Sequence, residues 1–255
     1  MWEVENVIVD HCSATWSTDE CLSVTGGSDR VTVQWCIIAE GLTTHSYGSL
    51  IQSYDGNITF HHNLYASSRS RNPRPGGYQY QAEHVNDPGP TVDFRNNIIY
   101  NWGGLAGYTG SDVPEETERM TINYVGNYLK PGPSSPDASS PHRRHAFTIY
   151  KGATAQIHVA DNHMEGFPAG NADNWQLIHA AGGVAVELAD PVAAAPVRTE
   201  SATMAYESVL AQVGATLPAR DAVDRRLVEN VHQGTGQIRM TVTDAGGWPE
   251  LISGN

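Results

Sequence analysis

The chain has 255 residues and a formal net charge of −13, from 28 acidic and 15 basic side chains, and only Lys130 and Lys151 among the latter are lysines. That balance argues against duplex nucleic acid and against an anionic membrane surface, since both are held by basic clusters. Hydrophobic content of 40% with 25 Gly and 14 Pro describes a turn-rich globular chain, and no apolar run is long enough to span a bilayer.

The N-terminus, Met1-Trp2-Glu3-Val4-Glu5, has neither a basic nor an apolar leader region, so no secretion signal is expected in this chain. Six β-type segments then recur. They start at Val7, Val31, Ile58, Val92, Ile122 and Ile157, at spacings of 24, 27, 34, 30 and 35 residues. Their first and third positions are apolar, the period-two signature of a strand. Their sixth position reads Cys12, Cys36, Asn63, Asn97, Asn127 and Asn162.

An Asn recurring at one offset predicts a ladder of side-chain hydrogen bonds between stacked turns, with Asn also suited to the corner itself. Apolar pairs follow that corner (Ile37-Ile38, Leu64-Tyr65, Ile98-Ile99, Tyr128-Leu129) and predict a second strand per turn. An antiparallel sandwich would carry turn signals every 8–12 residues, roughly a third of the observed period. The pattern therefore predicts an all-β fold, a single-stranded parallel β-helix. The three cysteines (Cys12, Cys21, Cys36) are an odd number and read as small core residues.

The Pro/Ser-rich stretch from Pro131 to His145 predicts a long surface loop, and the repeat ends near Gly166. The chain thus divides into coils at 1–167 and a C-terminal extension at 168–255 that caps or braces them. Within the extension, Tyr206, Val209, Leu210 and Val213 lie at helical spacing with Gly214 as a stop, and Asp221 is the expected N-cap of a second helix.

Charge is unevenly placed. Residues 1–29 hold six carboxylates and no Lys or Arg, whereas residues 56–82 hold Arg69, Arg71 and Arg74 and no acid. Stacking brings such patches onto one face, where carboxylates suit a hard divalent cation and arginines suit anionic substrate oxygens. His61 and His62, adjacent on a strand, are expected to face opposite sides. No zinc, Ser-His-Asp or phosphate-loop motif occurs.

These segments resemble pectate lyases of polysaccharide lyase family 1. The likeness is carried by Asp10-His11-Cys12-Ser13, Trp16-Ser-Thr-Asp19-Glu20, His61-His62-Asn63-Leu-Tyr65, Arg71-Asn-Pro73-Arg74, Asp93-Phe-Arg-Asn96-Asn97, Asn127-Tyr-Leu-Lys-Pro131 and Gly246-Gly247-Trp248-Pro249. The resemblance implies a right-handed parallel β-helix that cleaves α-1,4-linked polygalacturonate by calcium-assisted β-elimination, preferring alkaline conditions. It implies Arg71 as the base and Asp19 as a ligand of Ca2+; beside it, Glu20 is the candidate second ligand, Arg74 the clamp on a substrate carboxylate, Arg69 a rim contact and His45 the candidate replacement for a substrate-binding lysine.

Three departures accompany the likeness. Ser23 stands where a second acidic ligand is expected, Thr43-Thr44-His45 replaces a substrate-binding lysine, and the coils before Asp10 are absent from the chain. Asp10 reads as structural. A secreted monomer is implied. A β-helical glycoside hydrolase using Asp10 and Asp19, and a non-catalytic pectin-binding solenoid, are the competing readings.

Overall fold

The computed structural model of the chain describes residues 1–76, 89–110 and 118–248. The chain winds as a right-handed parallel β-helix, and every strand pair among the described residues is parallel. The first sheet stacks Glu5–Asp10, Asp29–Gln34, Asn57–His61, Thr91–Arg95, Glu118–Val125, Ala153–Ala160 and Val184–Glu187 in chain order. The second stacks Ser13–Thr15, Ile37–Ala39, Leu64–Ala66, Ile98–Tyr100, Tyr128–Lys130 and His163–Met164.

The third wall is in two parts. Val24–Gly26, Leu50–Ser53 and Arg74–Pro75 form one, and Gly107–Thr109, Phe147–Tyr150 and Ile178–Ala181 the other. The two are joined where the Asn72 N–H donates to Ala106 (2.8 Å) and the Tyr108 N–H to Pro73 (3.1 Å).

The repeat falls in register as the periodicity predicts. Val7, Val31, Ile58, Val92, Ile122 and Ile157 are successive ladder partners. The inward column Val33, Phe60, Phe94 and Tyr124 is fully buried, and Phe94 stacks on Tyr124 with ring centroids 5.4 Å apart. The apolar pairs of the second sheet have a double use. Ile38, Tyr65 and Ile99 enter the main core, while Ile37, Leu64 and Ile98 face outward under Val209, Leu210, Leu227 and Val231. Consecutive apolar residues on a strand mean two covered faces, and here the C-terminal helices cover the second.

The Asn ladder is present. The Oδ1 atoms of Asn63, Asn97, Asn127 and Asn162 each accept from the backbone N–H one coil earlier, at 2.9 Å. Their Nδ2 groups donate to the carbonyls of Val33, Phe60, Phe94 and Tyr124. Asn174 closes the far end by accepting from the Asn162 N–H (2.6 Å). The corner differs from expectation, because the left-handed residue is the one before the ladder position (Trp35 before Cys36; His62, Asn96, Gly126 and Asp161 before the Asn rungs). The Asn is then free to act as a ladder rung. Asn97→Ala is expected to lower unfolding free energy by about 2 kcal/mol, measured by denaturant titration, because it strands buried backbone groups of two coils.

The boundary expected at 167 falls one coil early. Ile178–Ala181 and Val184–Glu187 pair with the preceding coil. The sequence conceals them because Ala180 stands opposite Ile149, and Glu187 stands opposite Ile157 of the repeat column. Beyond them, residues 192–200 run along the first sheet, where Asn123 exchanges hydrogen bonds with Val192 and Asn96 with Glu200.

Helix α1 (Pro168–Ala172) is a single turn. Helix α2 (Ala202–Gln212) is capped by Ser201, and Gly214 follows its end with φ 84°. Helix α3 (Ala222–Gln233) is capped by Asp221 as expected and ends at left-handed Gly234. Residues 249–255, including Pro249 of the Gly-Gly-Trp-Pro segment, lie outside the described residues.

His61 and His62 do not face opposite sides, since left-handed backbone at His62 (φ 54°) brings the two Nδ1 atoms to 2.8 Å. Burial, then the neighbouring His62 and Arg95, push His61 down to about 4. An unfolded histidine titrates near 6.5, so the unfolded chain binds more protons between the two values. Stability is therefore present above pH 6.5 and lost as pH falls toward 4. Denaturant midpoints measured at pH 7 and pH 4.5 should differ, and His61→Gln should shrink the difference.

Candidate active site

A cleft of 520 Å³ opens on the third wall, lined by Tyr47, Arg69, Arg71, Arg74, Leu105, Tyr108, Gly110 and Tyr150. It gathers the three arginines of the basic segment. Its scaffold is a backbone column in which Glu20, Tyr47 and Ser70 are bridge partners on successive coils. Gly48 makes the column possible, since a Cβ there would sit 2.5 Å from Asn72 Oδ1 and 2.7 Å from the Arg71 carbonyl.

Arg71 is the most constrained of the arginines. Its backbone is left-handed (φ 59°), uncommon outside glycine. Its Nη1 pairs with Glu20 Oε1, its Nε donates to the Tyr108 hydroxyl (3.2 Å), and its guanidinium lies 3.9 Å from the centre of the Tyr47 ring. Neighbours from an earlier coil and a later coil thus fix one guanidinium. Arg74 pairs with the buried Glu118 (2.7 Å) and lies 5.5 Å from the Tyr108 ring. Arg69 is exposed at the rim, its backbone N–H bonded to Ser46 O at 2.7 Å. Burial raises the Tyr47 phenol, so it stays protonated beside the arginines.

The carboxylates divide. Asp19 is open to solvent (61% exposed) with His45 Nδ1 at 3.8 Å, whereas Glu20 is turned to Arg71. The Ser23 Oγ accepts from the Leu50 N–H (3.0 Å). Among the described residues no three His, Cys, Asp or Glu side chains gather as a metal site. Asp10 lies elsewhere, at the corner of the first and second sheets, bonded to His11 Nδ1 (2.7 Å). The structure therefore brings Arg69, Arg71, Arg74 and Glu20 together with Asp19 and His45 on the preceding coils, and leaves Asp10 out.

Tyr47, Tyr108, Glu118 and Tyr150 were not singled out by sequence. Loops of unequal length separate them from the arginines, so their common column is visible only once the coils are stacked. A second cleft of 450 Å³, between the first sheet and Ala193–Ala195, holds Asp93. That carboxylate is already bonded to Arg95 and Asn123.

No family model matches the chain. It is 33% identical over 234 residues to a protein of Aspergillus fumigatus named probable pectate lyase C, covering 90% of this chain and 49% of that one. A Neosartorya fischeri protein of the same name is 32% identical over 259 residues, covering 99% and 55%. The chain is thus homologous to these fungal proteins along nearly its whole length and spans about half of theirs. A solved structure described as a pectate lyase bound to hexasaccharide superposes with a TM-score of 0.50 at 14% identity, covering 84% of this chain and 54% of that one. That likeness is one of fold.

Proposed function

We propose that the chain is a pectate lyase, cleaving α-1,4-linked polygalacturonate by β-elimination with Arg71 as the base. The observation that carries this reading is the placement of Arg71. It sits inside a cleft with two further arginines, on a chain whose net charge is −13, so a polyanion meets concentrated positive charge there. The homology to proteins named pectate lyase C supports the same chemistry.

The residues take the following parts. Arg74 and Arg69 pair with uronate carboxylates and draw charge from the carbon bearing the C5 proton. Arg71, freed from Glu20 by its own proton loss, accepts that proton. The C5 electron pair then forms the C4–C5 double bond as the C4–O4 bond breaks, and the leaving oxygen takes a proton. Arginine is protonated at neutral pH in ordinary surroundings. The rate is therefore expected to rise toward alkaline pH.

Calcium, with Asp19 and Glu20 as ligands, is expected from the resemblance. Asp19 offers an open carboxylate, but Glu20 is engaged by Arg71, so these residues alone do not make a six- to eight-oxygen shell. The elimination above uses protein groups only. When bound, such a cation would act as a Lewis acid on a substrate carboxylate.

A secreted monomer remains part of the reading. The hydrolase alternative needs two carboxylates facing one bond. Glu20 and Glu118 are engaged by Arg71 and Arg74, and Asp10 lies outside the cleft. The test is near-ultraviolet absorbance of unsaturated uronide from polygalacturonate, with added calcium or chelator. Absorbance that depends on Arg71 supports the lyase. New reducing ends without absorbance would indicate hydrolysis, and binding without turnover a pectin-binding solenoid.

A further inference from the structure

The Asn ladder changes chemistry at its first two rungs. Cys12 and Cys36 hold the ladder position in consecutive coils, between the register pairs Asp10 with Gln34 and Ser13 with Ile37. Cys36 behaves as a rung, since its Sγ accepts from the Cys12 N–H at 3.4 Å, as an Asn Oδ1 does lower down. The same sulfur lies 3.7 Å from the Val9 carbonyl, so it reaches into the first coil. Neighbouring parallel strands are about 4.8 Å apart, which falls within the Cα separation a disulfide requires.

We propose that Cys12 and Cys36 form a reversible disulfide that staples the first coil to the second. The inference does not depend on the lyase reading. Cys12 is exposed and Cys36 fully buried. Burial pushes the Cys36 thiol up to about 12, so Cys12 meets the oxidant first. With a small-molecule disulfide such as oxidised glutathione, the Cys12 thiolate attacks one sulfur and expels a glutathione thiolate, giving a mixed disulfide. The Cys36 sulfur, losing its proton, then attacks the Cys12 sulfur and expels the second glutathione. Two protein thiols are oxidised and one glutathione disulfide is reduced to two thiols.

Cys21 is an internal control. Its Sγ donates to the Ala39 carbonyl (3.4 Å), at a different corner, and it has no ladder partner.

The experiment treats the native chain with oxidised glutathione, blocks free thiols in denaturant and maps peptides without reduction. The expected result is a fall from three titratable thiols to one, a Cys12–Cys36 linked peptide, and a monomeric band on a non-reducing gel. Amide exchange across Glu5–Asp10 should slow by about tenfold in the oxidised form. Cys12→Ser, a change at an exposed side chain, should abolish the link and the slowing together. Three free thiols after treatment, stable glutathione adducts, or intermolecular dimers would each overturn the proposal.

Discussion

Arg71→Ala is expected to lower polygalacturonate elimination by about a thousandfold, within the range that a positioned general base contributes. The loss should lie in kcat, because Arg69 and Arg74 remain to hold the substrate. Three contacts justify singling out this residue. Glu20 and Tyr108 bond its guanidinium and Tyr47 lies beneath it, so its position is fixed before any substrate arrives. Arg69, at the exposed rim, lacks that support, and its replacement should act mainly on KM. Initial rates of absorbance increase across substrate concentration separate the two. Equal kcat values for wild type and Arg71→Ala would remove Arg71 from the mechanism.

Arg226→Met is expected to cost about 3–5 kcal/mol of stability, the range for removing one member of a buried ion pair. Glu40 is 1% exposed and sits on the coil between Ala39 and Gly41. Its carboxylate accepts from the Trp16 indole (2.9 Å) and from both Arg226 nitrogens (2.6 and 2.9 Å), with Arg239 Nε at 3.6 Å. Without Arg226 the buried carboxylate keeps only the Trp16 indole and the more distant Arg239. The double variant Glu40→Gln with Arg226→Met should recover part of the loss, since the stranded charge is gone. Denaturant unfolding of the two single variants and the double closes the cycle.

The architecture was legible in the sequence because each coil repeats the same demands. One inward apolar column, one rung and one apolar pair recur at fixed offsets, so Val31, Asn97 and Ile98 could be placed without coordinates. The coil of strands 178–181 and 184–187 was not legible, because Glu187 fills the position that Val31, Ile58 and Ile157 hold on earlier coils, and Ala180 stands opposite Ile149.

The site divides in the same way. Arg69, Arg71 and Arg74 stand in one short segment and were found together. Glu20 was found in another role, as a cation ligand, and its pairing with Arg71 depends on a stacking register that variable loops conceal. Tyr47 and Tyr108, which hold Arg71, carry no sequence signal, since a lone tyrosine near a loop is common. His45 and Asp19 emerge as neighbours across one coil step, which the spacing alone did not predict.

The helical brace has a kinetic consequence. A solenoid whose coils touch only their neighbours can zip up from any point and fray from either end. Here Asp224 accepts from Ser13, 211 residues earlier, and Arg226 grips Glu40, 186 residues earlier. Helix α3 thus clasps the coils that carry Ser13 and Glu40, and the stack becomes a closed circuit of contacts. Such closure raises the average sequence separation of contacting residues, a feature that slows refolding. Once the clasp shuts, local opening of the coils that carry Ser13 and Glu40 requires releasing α3.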